Sequence, residues 1–318
     1  MHTPGLFLAS GLLLGSIVVA GSQVNGLMYR SLRSGLDRLA PEDRSILLKG
    51  MVLLPWMLAA GTLVLAFLPS FITVPGWIED HCLPHDHHPH LCLVHGFWMP
   101  SGPLWGSVAF LGLVGTALWA RLVHRILQSH CFVLSLMRFS RQQGTFRVIP
   151  SGHPMAFSAG LFHPRTVVTA GVLDHLDAED LTVVLSHEEA HGQRRDALWR
   201  VILEALALGM PSASRTLLLE DFSLASEEAC DRRAVKGHVT PDRVAEVLLR
   251  MQRLGCLNPE GAPGATGSHL VRRVKALLGN CYPPRPVWMK AIWLSPGFLL
   301  LADPVHHAAE SLLGLLFS

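Results

Sequence analysis

The segment from Ser186 to His191 reads Ser-His-Glu-Glu-Ala-His and contains the pattern His-Glu-x-x-His. On a helix, a spacing of four residues places His187 and His191 on one face, one turn apart. Two neutral imidazoles held in this way can bind one zinc ion. Glu188, which follows the first histidine, can then act as general base on a water at the metal. The pattern therefore predicts a zinc-dependent hydrolase.

The residues around this pattern indicate a helix. Asp177 suits the N-cap position, and Glu179 and Asp180 supply the negative charge that the first turn of a helix favours. Apolar residues then recur at helical spacing: Leu181, Val184, Leu185, Ala190, Leu198 and Val201. We therefore expect a helix over about 178–209 that carries both histidines.

A third protein ligand should come from another part of the chain, leaving the fourth zinc position for water. Glu227 and Asp231 lie in a second helical segment, 226–234, and share one face because they are four residues apart. One carboxylate can bind the metal while the other accepts a hydrogen bond from a ligand histidine. The alternative is a solvated helix face on which these acids pair with Arg232 and Arg233. The upstream histidine pattern favours Glu227 as the ligand.

The composition is that of a membrane protein. Hydrophobic residues make up 50% of the chain and charged residues only 16%, which is too apolar for an ordinary soluble enzyme. Three uncharged segments are each long enough to cross the bilayer as a helix: residues 5–27, 50–74 and 103–120. A fourth apolar segment, 286–302, has Lys290 near one end, and a buried core helix is the alternative for it. We therefore expect four transmembrane helices.

Basic residues indicate the orientation of these helices. Lys and Arg are frequent in the loop 28–49 and after the third span, whereas 75–102 and 291–318 contain none. Since basic loops stay in the cytoplasm, we expect the N-terminus and the loop 75–102 outside. The chain then has three parts: residues 1–120 with three membrane helices, a cytoplasmic domain at 121–285, and residues 286–318 with the fourth helix and a short external tail.

The cytoplasmic domain should combine short strands with helices. Extended segments separated by Pro and Gly predict a small sheet at 146–149, 156–158 and 166–169. An edge strand there could align a substrate's backbone beside the metal. Further helices are expected at about 214–236, 241–255 and 269–279, with a Gly/Pro/Ala-rich loop at 257–268. The predicted fold is a mainly α membrane protein with an α+β zinc domain inserted between membrane helices three and four.

The predicted external loop concentrates metal-binding side chains. Six histidines and two cysteines lie within fifteen residues: His81, Cys82, His85, His87, His88, His90, Cys92 and His95. Imidazole and thiolate suit Zn²⁺, copper or Ni²⁺, so one hypothesis is that the loop senses an external transition metal. The alternatives are a Cys82–Cys92 disulfide with solvated histidines, or weak metal binding without signalling.

The domain contains the motifs Ala156-Phe157-Ser158-Ala159-Gly160, Pro164 to Val168, Gly171-Val172-Leu173, His-Glu-x-x-His, Arg194-Arg195-Asp196 and Glu227-x-x-Cys230-Asp231. Together these motifs resemble those of the bacterial antirepressor membrane metallopeptidases, the type of the β-lactam sensors and methicillin-resistance regulators. Heat-shock membrane endopeptidases and prenyl-protein proteases share a similar layout, usually without the cysteine.

This resemblance implies a gluzincin-like zinc endopeptidase in the bacterial cytoplasmic membrane. The residues it assigns are the Zn²⁺ ligands His187, His191 and Glu227, the general base Glu188, and Asp231 orienting a ligand. His269 resembles a histidine of the heat-shock relatives that could stabilise the oxyanion of the tetrahedral intermediate; the alternative is a solvated histidine beside basic residues. The substrate would be a cytoplasmic protein, by analogy a winged-helix repressor.

The β-lactam sensors carry a penicillin-binding domain after the last span, and this sequence shows none after 286–302, so we expect any signal to enter through the external segments or a partner. The expected partners are the lipid bilayer, the protein substrate, an external transition metal and a second copy of the chain, without direct nucleic-acid binding. Two other functions stay open. One is a quality-control protease acting on membrane proteins, and the other is a metal-binding membrane receptor whose zinc site is structural.

Overall fold

A computed structural model of the protein describes residues 3–73, 104–255, 267–279, 307–309 and 311. The predicted external loop with its histidines and cysteines lies outside these residues, as do the fourth predicted span and most of the predicted loop at 257–268. The described part is mainly helical, as predicted, and contains one four-stranded sheet.

Three long helices begin the described chain: α1 (Thr3–Leu36), α2 (Pro41–Thr73) and α3 (Leu104–Phe139). Within α1 and α2, the stretches Ser10–Leu36 and Pro41–Leu68 are long and apolar enough to cross a membrane, since about 20 residues suffice. They overlap the first two predicted membrane helices, 5–27 and 50–74, but begin and end at other residues. The third predicted span falls on the start of α3, and its crossing of the bilayer stays a prediction.

The segment between the first two membrane helices is more helical than its composition suggested. Residues 28–36 continue α1 and residues 41–49 form the first turns of α2, so that residues 37–40 alone connect them. Charge keeps a segment out of the hydrocarbon but not out of a helix, because arginine and lysine are good helix formers. Both helices therefore extend beyond their apolar stretches and contact the domain that follows.

The sheet consists of β1 (Arg141–Gln143), β2 (Phe146–Ile149), β3 (Ala156–Ala159) and β4 (Arg165–Thr169). Their order is β1-β2-β4-β3, in which β2 and β4 are parallel and the other pairs antiparallel. The last three coincide with the expected strands, and β1 is an addition that pairs with β2 across a turn at Gly144. Because β3 has β4 on one side only, one edge of its backbone is open in the described sheet.

Six helices follow the sheet in the described chain: α4 (Ala170–His175), α5 (Ala178–Arg194), α6 (Asp196–Leu206), α7 (Ser212–Ala234), α8 (Pro241–Arg253) and α9 (Gly267–Gly279). The helix expected over 178–209 is divided by Arg195, whose backbone is left-handed with φ 54°. Asp177 caps α5 as predicted, accepting a hydrogen bond from the backbone N–H of Asp180 at 2.8 Å. The break at Arg195 turns Asp196 back toward α5.

The core of the domain lies between the sheet and the helices. Its buried residues come from β4, α4, α5, α7 and α8 and include Val168, Val172, Val184, Ala234 and Val247. Burying a side chain the size of valine stabilises the fold by about 1.5–3 kcal/mol. This packing fixes the distance between α5 and α7, the two helices that carry the predicted zinc ligands.

A second core joins α1 and α2 to α6 and α7. Its buried residues include Tyr29, Leu48, Leu203, Leu218 and Phe222. Gly26 of α1 approaches Pro211, just before α7, so closely that a Cβ on Gly26 would lie 2.5 Å from the proline Cδ. A larger residue at position 26 would force the two elements apart.

Two acidic residues of α7 bind polar residues of α1 and α2. Asp221 accepts hydrogen bonds from the Tyr29 hydroxyl at 2.6 Å and from Arg33 Nε at 2.7 Å. Glu228 pairs with Arg44 of α2, and the two side chains are 2% and 3% exposed. Breaking a buried ion pair by removing one partner costs about 3–5 kcal/mol. Charge as well as apolar packing thus holds α7 against α1 and α2.

Candidate metal centre and active site

The two histidines of the His-Glu-x-x-His pattern face each other on α5. His187 Nε2 and His191 Nε2 are 3.2 Å apart, and the ring centroids are 4.8 Å apart with an interplanar angle of 75°. The four-residue spacing on a helix produces this approach. The side chains are 13% and 17% exposed, so water reaches the pair only through a narrow opening.

Glu227 of α7 completes a group of three possible ligands. Its Oε2 lies 3.5 Å from His187 Nε2, and its Oε1 lies 3.5 Å from His191 Nε2. The three ligand atoms all lie within 4.8 Å of one another. The structure therefore brings together the three residues that were predicted to bind zinc, from two helices about forty residues apart in sequence.

Each histidine is held at its other ring nitrogen by a buried carboxylate. His191 Nδ1 lies 2.9 Å from Asp196 Oδ2. His187 Nδ1 lies 3.0 Å from Asp231 Oδ1, although this contact is bent away from a linear hydrogen bond. When Nδ1 carries the proton and donates it in a hydrogen bond to a carboxylate, the lone pair of Nε2 is free to bind a metal. Asp231 occupies the orienting position that was expected of it, and Asp196 occupies a second one that sequence reasoning missed.

Arg273 of α9 binds both acidic residues that α7 contributes. Its Nε and Nη2 form a bidentate pair with Asp231, both at 2.7 Å, and its Nη1 lies 3.0 Å from Glu227 Oε2. Arg273 is 6% exposed. A bidentate guanidinium–carboxylate pair fixes orientation as well as charge. Arg273 therefore holds both carboxylates in position, a role that sequence reasoning did not assign.

The electrostatics of this group favour positive charge between the histidines. Burial lowers the pKa of His187, but the contacts with Asp231 and Glu227 outweigh burial and raise that pKa to about 9. For His191, burial likewise opposes the charged form, and the charge of Glu227 raises the pKa well above its ordinary value. Burial raises the pKa of Glu227, whereas Arg273 and His191 bring it well below the usual range. A divalent cation at the two Nε2 atoms would supply the favoured charge.

The donor set fits zinc. Two imidazole nitrogens and one carboxylate leave one of four positions open, which is typical of catalytic rather than structural zinc sites. His191, Asp196 and Cys230 form a second group beside the first. Burial raises the pKa of the Cys230 thiol to about 11, so the thiol keeps its proton and donates to Asp196 Oδ2 at 3.7 Å. Among the described residues, His187, His191 and Glu227 are therefore the better zinc site.

A cleft of about 170 Å³ opens beside the histidines, and we call it the catalytic cleft. Glu188 and His191 line it from α5, while Ser158 and Gly160 line it from β3 and the turn after β3. Gly160 has a φ of 112°, and a Cβ there would lie 2.8 Å from the His163 carbonyl oxygen, so the turn requires glycine. Glu188 thus lies beside the ligand group, in the wall of a cleft that also contains Ser158 of β3.

His269 lies in the first turn of α9 and is partly buried. It lies one turn before Arg273, on the same face of α9. The residues that line the catalytic cleft do not include it. Its role at an oxyanion stays a prediction.

Replacing Asp196 by asparagine should lower the zinc affinity about 10–100-fold. The amide keeps the size of the side chain but loses the charge that raises the basicity of His191. The dissociation constant can be measured on the purified protein in detergent by competition with a chromophoric chelator. Asp174→Asn, at an exposed position in α4, is the matched control. Equal affinities for wild type and Asp196→Asn would contradict an orienting role for Asp196.

Comparison with known proteins agrees with this chemistry. Residues 120–258 match the family described as peptidase family M48. The chain is 30% identical over 140 residues to a protease HtpX homolog of Methanopyrus kandleri, which covers 35% of this chain and 44% of that protein. It is 37% identical over 73 residues to a protease HtpX homolog of Salinibacter ruber, covering 22% and 26%. A protease HtpX homolog of Aquifex aeolicus is 40% identical over 62 residues, covering 19% and 20%.

The chain thus spans less than half the length of each of these relatives, at 44%, 26% and 20%. The segment that matches this family model is less than half of the chain, and it contains His187, Glu188, His191 and Glu227. The prediction of a metallopeptidase is confirmed. The finer resemblance to the antirepressor type stays a prediction.

Proposed function

We propose that this protein is a membrane-bound zinc endopeptidase that cleaves unfolded segments of membrane proteins. The observation that supports it most is the group of His187, His191 and Glu227, one of which lines a cleft together with Glu188 and with Ser158 of the edge strand β3. The two candidate membrane spans extend into helices that pack on α7, the helix that carries Glu227. This packing favours a site close to the surface of the bilayer.

The roles of the residues follow from their contacts. His187 and His191 would hold zinc through Nε2 together with the Glu227 carboxylate, while Asp231 and Asp196 retain the protons on the two Nδ1 atoms. When bound, zinc polarises a peptide carbonyl and makes a water more acidic.

Glu188 moves the proton in the proposed reaction. Its carboxylate takes a proton from the attacking water and passes it to the nitrogen of the departing amine. The hydroxyl of that water stays on the carbonyl carbon, and the C–N bond breaks. The balance of atoms is that of amide hydrolysis.

The open edge of β3 supports the choice of substrate class. A polypeptide that pairs with an edge strand must be extended and must have its own backbone N–H and C=O groups free. Folded proteins offer few such segments, whereas unfolded ones offer many. The names of the matched relatives, protease HtpX homologs, favour this quality-control activity over cleavage of one dedicated protein.

A second candidate is cleavage of a winged-helix repressor, with the external His/Cys loop as a metal sensor. The observation that favours it is Cys230, which belongs to the motif that resembles the antirepressor type. Cys230 is buried against Asp196 and is not one of the three predicted zinc ligands. If a gene next to that of this protein encodes a winged-helix repressor, cleavage of that repressor by the protein would test this candidate.

The orientation that we propose places the domain at 121–285 in the cytoplasm and the N-terminus outside. It rests on the distribution of basic residues across the predicted spans. The receptor alternative, with a structural zinc site, is disfavoured because the described ligand group has three members and lies beside a cleft.

Removing zinc should abolish proteolysis, and returning it should restore proteolysis. The purified protein in detergent is incubated with β-casein as an unfolded substrate and with a small folded winged-helix protein as a comparison. Dialysis against 1,10-phenanthroline should reduce cleavage of β-casein by roughly 100-fold or more, because the ligand group then lacks its Lewis acid. Adding one equivalent of Zn²⁺ should recover the cleavage, followed by gel electrophoresis and mass spectrometry.

Two results would overturn the proposal. One is cleavage that persists after metal analysis shows the zinc to be gone. The other is a zinc-loaded protein that cleaves neither substrate. Cleavage of the folded winged-helix protein alone would select the second candidate function instead.

A further inference from the structure

The two arginines at the end of α5 have different surroundings. Arg194 is 9% exposed, lies 3.2 Å from Asp196 Oδ2 through Nε, and donates to the Ser45 hydroxyl at 3.1 Å. Arg195 is exposed. Within the described part of the chain, its guanidinium has no hydrogen bond or ion pair. Arg194 thus supports the site, whereas Arg195 presents an unpaired positive charge to solvent.

The backbone of Arg195 is held in an unfavourable conformation. Its φ and ψ are 54° and 42°, and it is the one non-glycine residue with positive φ in the described chain. The left-handed region is unfavourable for an L-residue with a Cβ, and glycine or asparagine would adopt it more easily. Residues strained in this way are concentrated at functional sites. The backbone conformation therefore does not favour arginine at this position, which indicates that the side chain has a function.

Arg195 lies where two clefts meet. It lines the catalytic cleft together with Glu188 and Ser158. It also lines a neighbouring cleft of about 320 Å³, which we call the outer cleft, together with Phe162 and Gln193. Ser158, Pro164 and Arg195 border both clefts. Because Ser158 belongs to the edge strand β3 and lines both clefts, a polypeptide paired with β3 would pass both Glu188 and Arg195.

We propose that Arg195 is a specificity-determining residue that binds an acidic side chain of the polypeptide beside the bond that is cleaved. This inference rests on the proposed peptidase function. An unpaired guanidinium in a cleft wall binds a carboxylate with two N–H donors, which is its most favourable partner. The preferred substrates would then carry Asp or Glu at one fixed position next to the cleavage site.

Glu189 restricts the preference for an acidic residue to the substrate position that faces Arg195. It lines the outer cleft as well, is exposed, and accepts a hydrogen bond from Gln193 Nε2 at 3.0 Å. Its negative charge disfavours a second acidic side chain deeper in the outer cleft. We therefore expect a preference for acid at the position that faces Arg195 and none for acid further along the outer cleft.

The test is a cleavage profile of wild type, three variants at position 195 and one control variant of the full chain, all loaded with zinc in detergent. A library of unstructured peptides that varies the residues around the cleaved bond is digested and analysed by mass spectrometry. Wild type should cleave peptides with Asp or Glu at one position roughly tenfold faster, in kcat/KM, than peptides with Lys or Arg there. The difference should lie mainly in KM.

The three variants separate charge from backbone. Arg195→Gly suits the left-handed backbone, so it should keep its unfolding temperature and lose the preference, cleaving peptides with an acidic and with a basic residue at that position at equal kcat/KM. Arg195→Glu should reverse the preference toward Lys and Arg, and Arg195→Lys should keep part of it. Lys236→Glu, an exposed charge reversal after α7, is the control and should leave the profile unchanged.

The outcomes distinguish this inference from the proposed function. Cleavage by wild type without a preference for acid would overturn the inference alone, as would an acid preference that persists in Arg195→Gly and Arg195→Glu. A zinc-loaded wild type that cleaves no peptide would overturn the proposed function and the inference with it.

Discussion

Replacing Glu188 by glutamine should lower kcat by about 10²–10⁴-fold while the zinc content of the protein stays that of wild type. Glutamine has the shape of glutamate but cannot accept a proton from the attacking water. Glu188 lies in the catalytic cleft and is not part of the group of ligand atoms, so the substitution removes the general base and leaves the metal site intact. Single-turnover cleavage of a fluorogenic peptide measures the rate, and metal analysis of the same sample measures the zinc.

Glu179→Gln is the matched control for this experiment. Glu179 is exposed in the first turn of α5, on the same helix as Glu188 but more than two turns from it. It should leave both rate and zinc content unchanged. A Glu188→Gln protein that retains a tenth or more of the wild-type rate, or that loses its zinc, would contradict the role of Glu188 as general base.

Replacing Arg273 by methionine should destabilise the zinc-free protein by about 3–5 kcal/mol. The substitution leaves the buried carboxylates of Asp231 and Glu227 without the guanidinium that now pairs with both of them. With saturating zinc the loss should be smaller, because the ion would restore positive charge beside Glu227. Denaturant unfolding in detergent micelles, with and without Zn²⁺, measures the two differences.

Lys275→Met is the control for Arg273. Lys275 lies on the same helix, two residues later, but is exposed, and substitutions at exposed positions usually change stability by less than about 0.5 kcal/mol. Equal losses for the two variants would show that Arg273 is not holding the acidic pair. A loss for Arg273→Met that does not respond to zinc would show that Glu227 is not close to the metal.

The part of the site that could be predicted from sequence depends on local spacing. His187 and His191 are four residues apart, as are Glu227 and Asp231, and helical geometry alone places each pair on one face. The strands β2, β3 and β4 were predictable for a similar reason, because Pro and Gly mark their ends. The pairing of α5 with α7 was inferred from chemistry, since a zinc site with two histidines needs a third ligand.

The contact of Asp196 with His191 could not be predicted, because it depends on a helix break that the local sequence does not indicate. In an unbroken helix, a residue five positions after His191 would point roughly 140° away from it around the helix axis. The left-handed Arg195 turns Asp196 back to His191 Nδ1. Glycine at 195 would have signalled the break, and arginine gives no such signal.

The contacts of Arg273 and Arg44 could not be predicted because they join segments far apart in the chain. Arg273 reaches Asp231 across 42 positions, and Arg44 reaches Glu228 across 184. Nothing in the local sequence of α9 separates the buried Arg273 from its partly exposed neighbour Arg272. Only the packing of α9 against α7 decides which of the two arginines faces the site.

The attachment of α7 to α1 and α2 has a consequence for how the enzyme can be studied. A fragment trimmed to the boundaries of the family match, 120–258, would lack Tyr29, Arg33 and Arg44, and it would expose Leu218 and Phe222 to water. Such a fragment would also end before Arg273. The smallest fragment expected to fold therefore includes α1 and α2. Fragments for crystallisation or assays that omit these two helices would lose contacts that hold α7, the helix that carries Glu227.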